Sequence, residues 1–497
     1  MDWDIVESPL QRSLAALNRY ASAPAPDEVF LDDMQQRINA ARRAPGRCDP
    51  GANRDAPRVL LLGYSGAGNT GADLRTIETI AQLRRLLAPR EPRITLFALG
   101  DCFDHPLLAG TPRLTPSLPY LPDALDAAAR DADLVLNVEG STYTSKFSDS
   151  LAGVLIGGIA LAHAYGRPAI AYGVDSGTMS TALTRFVERN AQAGEVICRN
   201  DAARVQLASL GVSAQVGADT AWTYRAPADT SNDASLGSRR VALCPNNPFW
   251  WPVHADAARA RELDARGEAS PLRYGPLHFH SWNTARAEAY HAYLDRFAQI
   301  AVGLREQGYT PVLVGMEQLD SGACADLAAR VPFPIDIVAR GPHTLDEVAA
   351  TVAHAACVVT TRYHAAVLAI SHGVPVFGLS MDARIERLLS EVGCESWSAA
   401  CDGDDGAHAA LAVIASLQND GVRGALVAAY DDYARLQCAR FDTMGERVRA
   451  VLEGWARSVH GQGTDNELSS RCALTCLTAC AVPTYESPDV RDAEFDS

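Results

Sequence analysis

The sequence predicts an α/β protein with two domains of similar build that face each other across a cleft. A chain of 497 residues is too long for one core of ordinary size. Short uninterrupted apolar runs alternate with helical patterns, which is typical of parallel sheets covered by helices. A stretch rich in Pro, Asp, Ser, Asn and Gly at residues 226–238 interrupts this alternation, which then restarts.

The domain organisation follows from these patterns. Helical patterns before the first strand predict an N-terminal extension, and an excess of acidic residues at the other end predicts a solvated tail. The predicted segments are the helical extension (1–57), the first Rossmann-like domain (58–225), the linker (226–238), the second Rossmann-like domain (239–400), C-terminal helices (401–480) and the acidic tail (481–497).

Strands and helices are predicted one by one from hydrophobic periodicity. The predicted strands are Arg58–Gly63, Ile94–Leu99, Leu134–Val138, Ala169–Tyr172 and Glu195–Cys198, followed after the linker by Val241–Cys244, Thr310–Val314, Ile335–Val338, Cys357–Thr360 and Val376–Leu379. Helical patterns lie at 10–20, 29–42, 74–87, 123–130, 151–165, 181–192, 201–210, 286–307, 319–330, 345–355, 365–372 and within 406–460.

Composition and charge narrow the function classes. Apolar residues make up 47% of the chain and charged residues 21%, as in ordinary soluble proteins. The 44 basic and 60 acidic residues give a net charge of -16, and no Lys/Arg run is present, so nucleic acid is not an expected partner. Because Lys146 is the only lysine, we expect any anion site to be built from arginine, histidine or backbone N–H groups.

A glycine-rich turn follows the first strand. The segment Gly63–Asp73 contains Gly66, Asn69 and Gly71 and leads into a helix. Glycines allow close backbone approach, and the free N–H groups of the helix start would face an anion or a hydroxyl-rich ligand. The Walker spacing is absent because the turn has no lysine. A tight βα turn without a ligand remains the alternative.

A second group of polar residues follows two strands of the second domain. Thr361, Arg362 and His364 come directly after the strand Cys357–Thr360 and before an alanine-rich helix. Ser380, Asp382 and Arg384 follow the next strand. A guanidinium, an imidazole and a helix N-terminus together favour an anion, and His364 suits proton transfer near neutrality.

These segments resemble the motifs of the polysaccharide pyruvyl transferase family. The resemblance also includes Asp133–Gly140, Gly166–Gly177 and Ile197–Asp201, and it runs in order over residues 58–400. The chain departs from the family pattern at several positions: Ala72 separates Gly71 from Asp73, Glu139-Gly-Ser141 replaces a triple glycine, Asp175 replaces a glycine and Arg384 stands where lysine is common.

The resemblance implies a fold like the B-type glycosyltransferases and transfer from phosphoenolpyruvate to a saccharide diol, forming a pyruvate ketal. It implies catalytic roles for His364 and Arg362 and a phosphoenolpyruvate site at Arg362, Arg384, Ser380 and Thr361. The resemblance assigns acceptor binding to Gly66, Asn69, Gly71, Asp73, Glu139 and Ser141. Asp73 or Glu139 is an alternative to His364 as the base that activates the acceptor hydroxyl. No metal or cofactor is expected beyond this co-substrate.

The resemblance also implies a setting: bacterial exopolysaccharide or cell-envelope biosynthesis in the cytoplasm. No integral membrane segment or signal peptide is expected. Peripheral contact with the inner membrane, where a lipid-linked saccharide would be met, and assembly into a homo-oligomer both stay open.

Two further hypotheses stay open: a glycosyltransferase that uses a nucleotide sugar, and a non-catalytic binding protein on a degenerate transferase scaffold. Two possible metal or thiolate sites are judged weaker than structural interpretations. His278 and His280 lack a third ligand, and Cys472, Cys476 and Cys480 lie on one face of a predicted terminal helix without a fourth ligand.

Overall fold

The computed structural model describes most of the chain. The described residues are 19–20, 22–43, 56–114, 122–228, 239–251, 255–268, 273–274, 277–279 and 282–477. The acidic tail, His280 and Cys480 lie outside these residues, as do residues 10–18 of the helix predicted at 10–20 and residues 229–238 of the linker. The side chains of His278, Cys472 and Cys476 also lie outside the description.

A parallel sheet of seven strands forms the first domain, in the order β3-β2-β1-β4-β5-β6-β7. Its strands are β1 (Arg58–Leu62), β2 (Arg93–Phe97), β3 (Arg113–Leu114), β4 (Leu134–Asn137), β5 (Ala169–Val174), β6 (Glu195–Cys198) and β7 (Ala214–Val216). The accompanying helices are α1 (Pro26–Arg43), α2 (Thr70–Leu87), α3 (Pro106–Ala109), α4 (Pro122–Asp131), α5 (Asp149–Ala164), α6 (Thr181–Arg189) and α7 (Asp201–Ala208).

The second domain contains a parallel sheet of six strands, together with a small antiparallel sheet. The antiparallel sheet consists of β9 (Ala255–Asp256), β10 (Arg273–Tyr274) and β11 (Leu277–Phe279). The parallel strands are β8 (Arg240–Cys244), β12 (Thr310–Gly315), β13 (Asp336–Ala339), β14 (Cys357–Thr360), β15 (Val376–Ser380) and β16 (Ser398–Ala400), in the order β13-β12-β8-β14-β15-β16. Its helices are α8 (Ala257–Arg266), α9 (Thr284–Glu306), α10 (Asp320–Ala328), α11 (Leu345–Ala353), α12 (Tyr363–Ser371), α13 (Ala383–Glu391), α14 (Gly406–Ser416) and α15 (Asp420–Leu477).

These two sheets confirm the prediction of an α/β fold with two Rossmann-like domains. The central strands are buried along their whole length, as in β4 and β5, which is why their sequences are continuous apolar runs. The short strands β3, β7 and β16 were not predicted, because two or three residues are too few to show a hydrophobic pattern.

The N-terminal extension is docked on the first domain. Helix α1 begins at Pro26, three residues before the predicted start, and proline is favoured at the first helical position. Side chains of Phe30, Leu31 and Met34 are buried where α5 carries Gly153 and Gly157. The glycines let the two helices approach closely, because added Cβ atoms would overlap those side chains.

The last helix joins the two domains. Helix α15 starts beside the second domain and returns to the first, where Phe441 is buried and its carbonyl accepts a hydrogen bond from Gln82 at 2.7 Å. Farther along, Arg447 pairs with Glu195 at 2.6 Å and the Trp455 indole N–H donates to the carbonyl of Gly166 at 3.0 Å. Within the described residues, no helix is both long and apolar enough to cross a bilayer.

Candidate active site between the two domains

Several predicted site residues follow the strands at which the strand order of each sheet reverses. In the first sheet the order reverses between β1 and β4, which are followed by the glycine-rich turn and by the Glu139–Thr144 segment. In the second sheet it reverses between β8 and β14, and β14 is followed by Thr361, Arg362 and His364. Ligands of open α/β sheets bind at such points, so the topology favours a site between the two sheets.

The glycine-rich turn packs directly on the second domain. The Thr70 N–H donates to the carbonyl of Met316 at 2.8 Å, and the Gln318 N–H donates to the carbonyl of Gly68 at 3.2 Å. Asn69 caps helix α2, where its side chain accepts a hydrogen bond from Ala72 N at 3.1 Å. The turn is therefore an inter-domain contact in this structure.

Gly66 adopts a left-handed conformation with φ of 81° and lies against the carbonyl of Gly100, where a Cβ atom would overlap the backbone. Of the residues that the sequence assigns to acceptor binding, Gly66 and Asn69 thus have structural roles in the turn and at the start of α2. Their contribution to acceptor binding stays a prediction.

Asp73 is buried in an ion pair that crosses between the domains. Its Oδ2 lies 2.9 Å from Nη1 of Arg340, and both side chains have no solvent exposure. Arg340 also pairs with Asp104 at 2.9 Å. Burial raises the pKa of Asp73 to about 7, against the opposing effect of Arg340. Asp73 therefore faces a guanidinium in this structure, and its predicted role toward the acceptor is untested.

His364 stands at the start of helix α12 and reaches the first domain. Its ring lies against Gly71, where an added Cβ would overlap the imidazole. Its Nε2 lies 3.4 Å from Oδ2 of Asp219, and the side chain retains 17% exposure. Burial lowers the pKa of His364, with Asp219 opposing that shift. The imidazole is thus favoured in its neutral form near pH 7.

Two buried arginines of the first domain hold Asp219. Arg75 and Arg199 both form ion pairs with it, the latter at 3.1 Å, and Arg199 also pairs with Asp175. Burial opposes ionisation of Asp219, but the cations outweigh it and hold its pKa well below the usual range. The Arg199 guanidinium lies 4.0 Å from the centre of the Tyr363 ring, beside His364. A fixed carboxylate therefore faces the imidazole.

Arg362 contacts two carboxylates of its own domain. It contacts Glu317 at 2.8 Å and Asp320, whose Oδ2 accepts from Arg362 Nε at 2.9 Å. Burial raises the pKa of Asp320 to about 6 despite this guanidinium. The predicted anion anchor is therefore already compensated by neighbouring acids.

Thr361 and Ser380 are both buried beside this region. The Thr361 hydroxyl bonds to the Tyr293 hydroxyl at 2.7 Å, whereas Ser380 Oγ has no protein hydrogen-bond partner. Asn246 Oδ1, at the end of β8, is likewise buried and without a partner. These two unpaired polar atoms are free to bind a ligand group.

Arg384 lies opposite the loop of the first domain that follows β4. Its Nη1 is 3.3 Å from Ser141 Oγ, and its Nη2 is 2.8 Å from Asp382. Lys146 of the same first-domain loop also forms an ion pair with Asp382. Burial opposes ionisation of Asp382, but Arg384 and Lys146 outweigh it and lower the pKa of Asp382. The contact between Arg384 and Ser141 thus joins a predicted donor-binding residue to a predicted acceptor-binding residue.

Glu139 supports the same loop from within the first domain. Its carboxylate accepts hydrogen bonds from Tyr64 N at 3.3 Å and from Ser141 N at 3.1 Å. Gly140 lies beside the two buried arginines, since an added Cβ would be 3.0 Å from Arg199 and 3.3 Å from Arg75. The departure from a triple glycine thus adds a carboxylate that bonds to two backbone N–H groups.

The structure brings predicted residues of the two domains together at two places, Gly71 with His364 and Ser141 with Arg384. Sequence reasoning omitted Arg75, Asp219, Arg340 and the cleft position of Lys146. Only Lys146 had a usable signal, since it is the sole lysine of the chain. Across the described part of the chain no cluster of three or more metal-ligating side chains is found.

Comparison with known families supports the motif resemblance over part of the chain. Residues 180–382 match the model of the family described as Polysaccharide pyruvyl transferase, which confirms the predicted resemblance over that range. The match includes Arg199, Asp219, Arg362, His364 and Asp382 and ends two residues before Arg384. No curated protein matches the chain.

Solved structures similar to this chain include transferases and an epimerase. An O-GlcNAc transferase mutant from Thermobaculum terrenum is 13% identical with a TM-score of 0.44, covering 91% of this chain and 78% of that one. UDP-GlcNAc 2-epimerase from Neisseria meningitidis is 10% identical with a TM-score of 0.46, covering 80% and 100%. A glycosyltransferase from Rickettsia africae is 9% identical with a TM-score of 0.44, covering 80% and 98%.

Proposed function

We propose that this protein, whose residues 180–382 match the polysaccharide pyruvyl transferase family, transfers the three-carbon unit of phosphoenolpyruvate to two hydroxyls of a saccharide. The products are a cyclic pyruvate ketal and inorganic phosphate. The observation that carries the proposal is His364, a neutral imidazole at a helix N-terminus that faces both a fixed carboxylate and the start of α2 across the domain boundary.

The reaction needs one group that both accepts and donates a proton. One saccharide hydroxyl adds to C2 of the enol while C3 gains a proton, and the second hydroxyl then displaces phosphate at C2. One hydroxyl proton thus ends on the methyl group and the other on the phosphate. Neutral His364 can accept the first proton and, as imidazolium, return it to C3. Asp219 would stabilise that imidazolium, as the carboxylate does in a catalytic triad.

The donor carries a phosphate and a carboxylate, which require positive charge. Arg362 already contacts Glu317 and Asp320. It would therefore bind the donor only after these carboxylates move away or one of them is protonated. Protonation of Asp320 is within reach because its pKa is raised to about 6. The free backbone N–H groups at the start of α12 provide further anion-binding capacity beside His364.

For the acceptor we favour the loop after β4 over the glycine-rich turn. Gly66, Asn69, Gly71 and Asp73 are engaged in contacts within the turn or with the second domain. The Ser141 hydroxyl, by contrast, lies at the domain boundary beside Arg384. A saccharide held near Ser141 would lie between the two domains. This placement keeps the acceptor on the first domain.

The proposal is tested by mixing the protein with phosphoenolpyruvate and saccharides that carry adjacent hydroxyl pairs. We expect phosphate release together with a mass gain on the saccharide equal to pyruvate minus water. His364→Gln is expected to lower turnover by about 100-fold or more, because proton-transfer groups contribute about that much. The matched control is His354→Gln, which alters an exposed histidine on the second domain.

The competing donor class is tested in the same protein. A true donor raises the melting temperature by mass action, so phosphoenolpyruvate and nucleotide sugars are compared at equal concentration. Stabilisation by a nucleotide sugar without phosphate release from phosphoenolpyruvate would replace this proposal with a glycosyltransferase. Stabilisation by neither class would favour a binding protein.

A further inference from the structure

The only lysine of the chain lies at the contact between the two domains. Lys146 is the single lysine among the 44 basic residues and belongs to the first-domain loop that follows β4. Its side chain is 22% exposed and forms an ion pair with Asp382 of the second domain. A long flexible cation held across a domain boundary has lost much of its conformational freedom, so the contact must compensate for that loss.

The positive charges of Lys146 and Arg384 exceed the negative charge of the carboxylate that they contact. Lys146 and Arg384 share the single carboxylate of Asp382, which leaves a surplus of one positive charge. By comparison, Arg362 and Arg340 at the domain junction each face two carboxylates. This surplus favours the binding of an anion at the cluster.

The surroundings of the two cations suit a bound anion. Both lie near the ring of Phe147, at 6.0 Å for Lys146 and 5.7 Å for Arg384, so one side of the cluster is apolar. Phe147 in turn packs edge-on against Trp251 of the second domain, with ring centres 5.0 Å apart. Ser380, two residues before Asp382, keeps a buried hydroxyl without a partner. An apolar wall lowers the local screening and strengthens a charge pair.

We propose that Lys146 and Arg384 form a clamp for an anionic group of the donor, beside Asp382, whose carboxylate also caps helix α13 by accepting a hydrogen bond from Arg384 N at 3.0 Å. The clamp takes one cation from each domain, so donor binding would also hold the cleft closed. The anionic group is a carboxylate or a phosphate, which the clamp would recognise by the same contacts. The identity of the donor rests on the proposed function, whereas the clamp itself does not.

The clamp has a characteristic dependence on pH. Burial and the nearby Arg384 lower the pKa of Lys146 to about 8, with Asp382 opposing that shift. The other group facing the ammonium is Cys401, whose pKa burial raises to about 11, so that it is neutral in the working range. The lysine is charged below pH 8 and loses its charge above it. Affinity for an anion is therefore expected to weaken as the pH rises through this region.

The first test measures dissociation constants of phosphoenolpyruvate, inorganic phosphate and lactate by calorimetry at pH 7 and pH 9.5. Wild type is expected to bind the preferred anion about tenfold or more weakly at the higher pH. Lys146→Met is expected to bind about tenfold more weakly at pH 7 and to lose this pH dependence. Lys146→Arg should restore binding at both pH values, because arginine stays charged.

The control is Arg435→Met, which removes an exposed arginine paired with Asp432 on helix α15 and should leave all constants unchanged. Lactate tests the carboxylate alone and phosphate tests the phosphate alone, so the two arms identify the group that the clamp holds. Equal constants for wild type and Lys146→Met, with no pH effect in wild type, would overturn the clamp.

The second test uses the unmodified chain and so does not depend on the folding of a variant. An amine-reactive reagent can label only Lys146 and the N-terminal amine, and peptide mass spectrometry separates the two. We expect the preferred anion to slow labelling of Lys146 about tenfold and to leave the N-terminus unaffected.

The two proposals can fail separately. Phosphoenolpyruvate binding without protection of Lys146 would overturn the clamp and keep the proposed function. Protection by phosphate or lactate but not by phosphoenolpyruvate would keep the clamp and remove the proposed donor. Protection by none of the three anions would overturn the clamp.

Discussion

At the scale of single residues, the decisive contact is between Gly71 and His364. The imidazole occupies the space that a side chain at position 71 would fill. The lack of a side chain at Gly71 therefore leaves room for the His364 ring, and the role of Gly71 in acceptor binding stays a prediction. Only the position of a residue almost 300 places away in the chain reveals this contact.

The first prediction concerns this contact. In Gly71→Ala the new methyl group displaces the His364 ring, and we expect turnover to fall by about 100-fold, because misplacement of a reacting group by an ångström can cost that much. Phosphate release from phosphoenolpyruvate is the measurement. Gly454→Ala is the control, since nothing lies within 4 Å of its added Cβ. Unchanged turnover in Gly71→Ala would show that the ring is not the reacting group.

At the scale of secondary-structure elements, the sequence predicted ten strands of the two parallel sheets with ends correct to within about two residues. Such strands are buried on both faces, so their apolar runs are visible without knowledge of their neighbours. The return of helix α15 to the first domain could not be predicted. The bond between Gln82 and Phe441 joins residues 359 positions apart, and no local pattern records such a partner.

The second prediction concerns the docking of helix α1 on α5. Met34 has no solvent exposure and fills the space above Gly157. Met34→Ala leaves a cavity there, and we expect a loss of about 2–5 kcal/mol in the free energy of unfolding. Urea denaturation measures this loss. Gln36→Ala, at an exposed position of the same helix, should change stability by less than about 0.5 kcal/mol. Equal effects of the two changes would mean that α1 is not docked in solution.

At the scale of the whole molecule, the two domains are held together by backbone hydrogen bonds and by buried ion pairs. Among these pairs, Asp73 with Arg340 has no solvent exposure on either side. Breaking such a pair leaves an uncompensated buried charge, so the closed arrangement depends on the protonation of its members.

The third prediction is the pH dependence that follows from Asp73. Burial raises its pKa to about 7, while in an unfolded chain it is about 3.9. Between these values the folded protein binds more protons than the unfolded one, so stability from this group falls as the pH rises from about 4 to about 7. The fall is at most about 1.4 kcal/mol per pH unit.

Urea denaturation at pH 5 and pH 8 measures this effect. Wild type should lose more stability between the two pH values than Asp73→Asn, in which this group no longer titrates. Glu446→Gln, which removes an exposed partner of Arg449, should keep the wild-type dependence. Equal pH dependence in wild type and Asp73→Asn would contradict the raised pKa.

By itself, the sequence determined the two α/β sheets, the order of their strands along the chain and the positions of the motifs at strand ends. These features depend on local periodicity and on the burial of short apolar runs. The tertiary structure alone decided which charges meet. Arg362 pairs with Glu317 and Asp320 of its own domain. Lys146 pairs with Asp382, which lies 236 positions later in the sequence. Electrostatic pairing depends on distance in space, which the sequence does not encode locally.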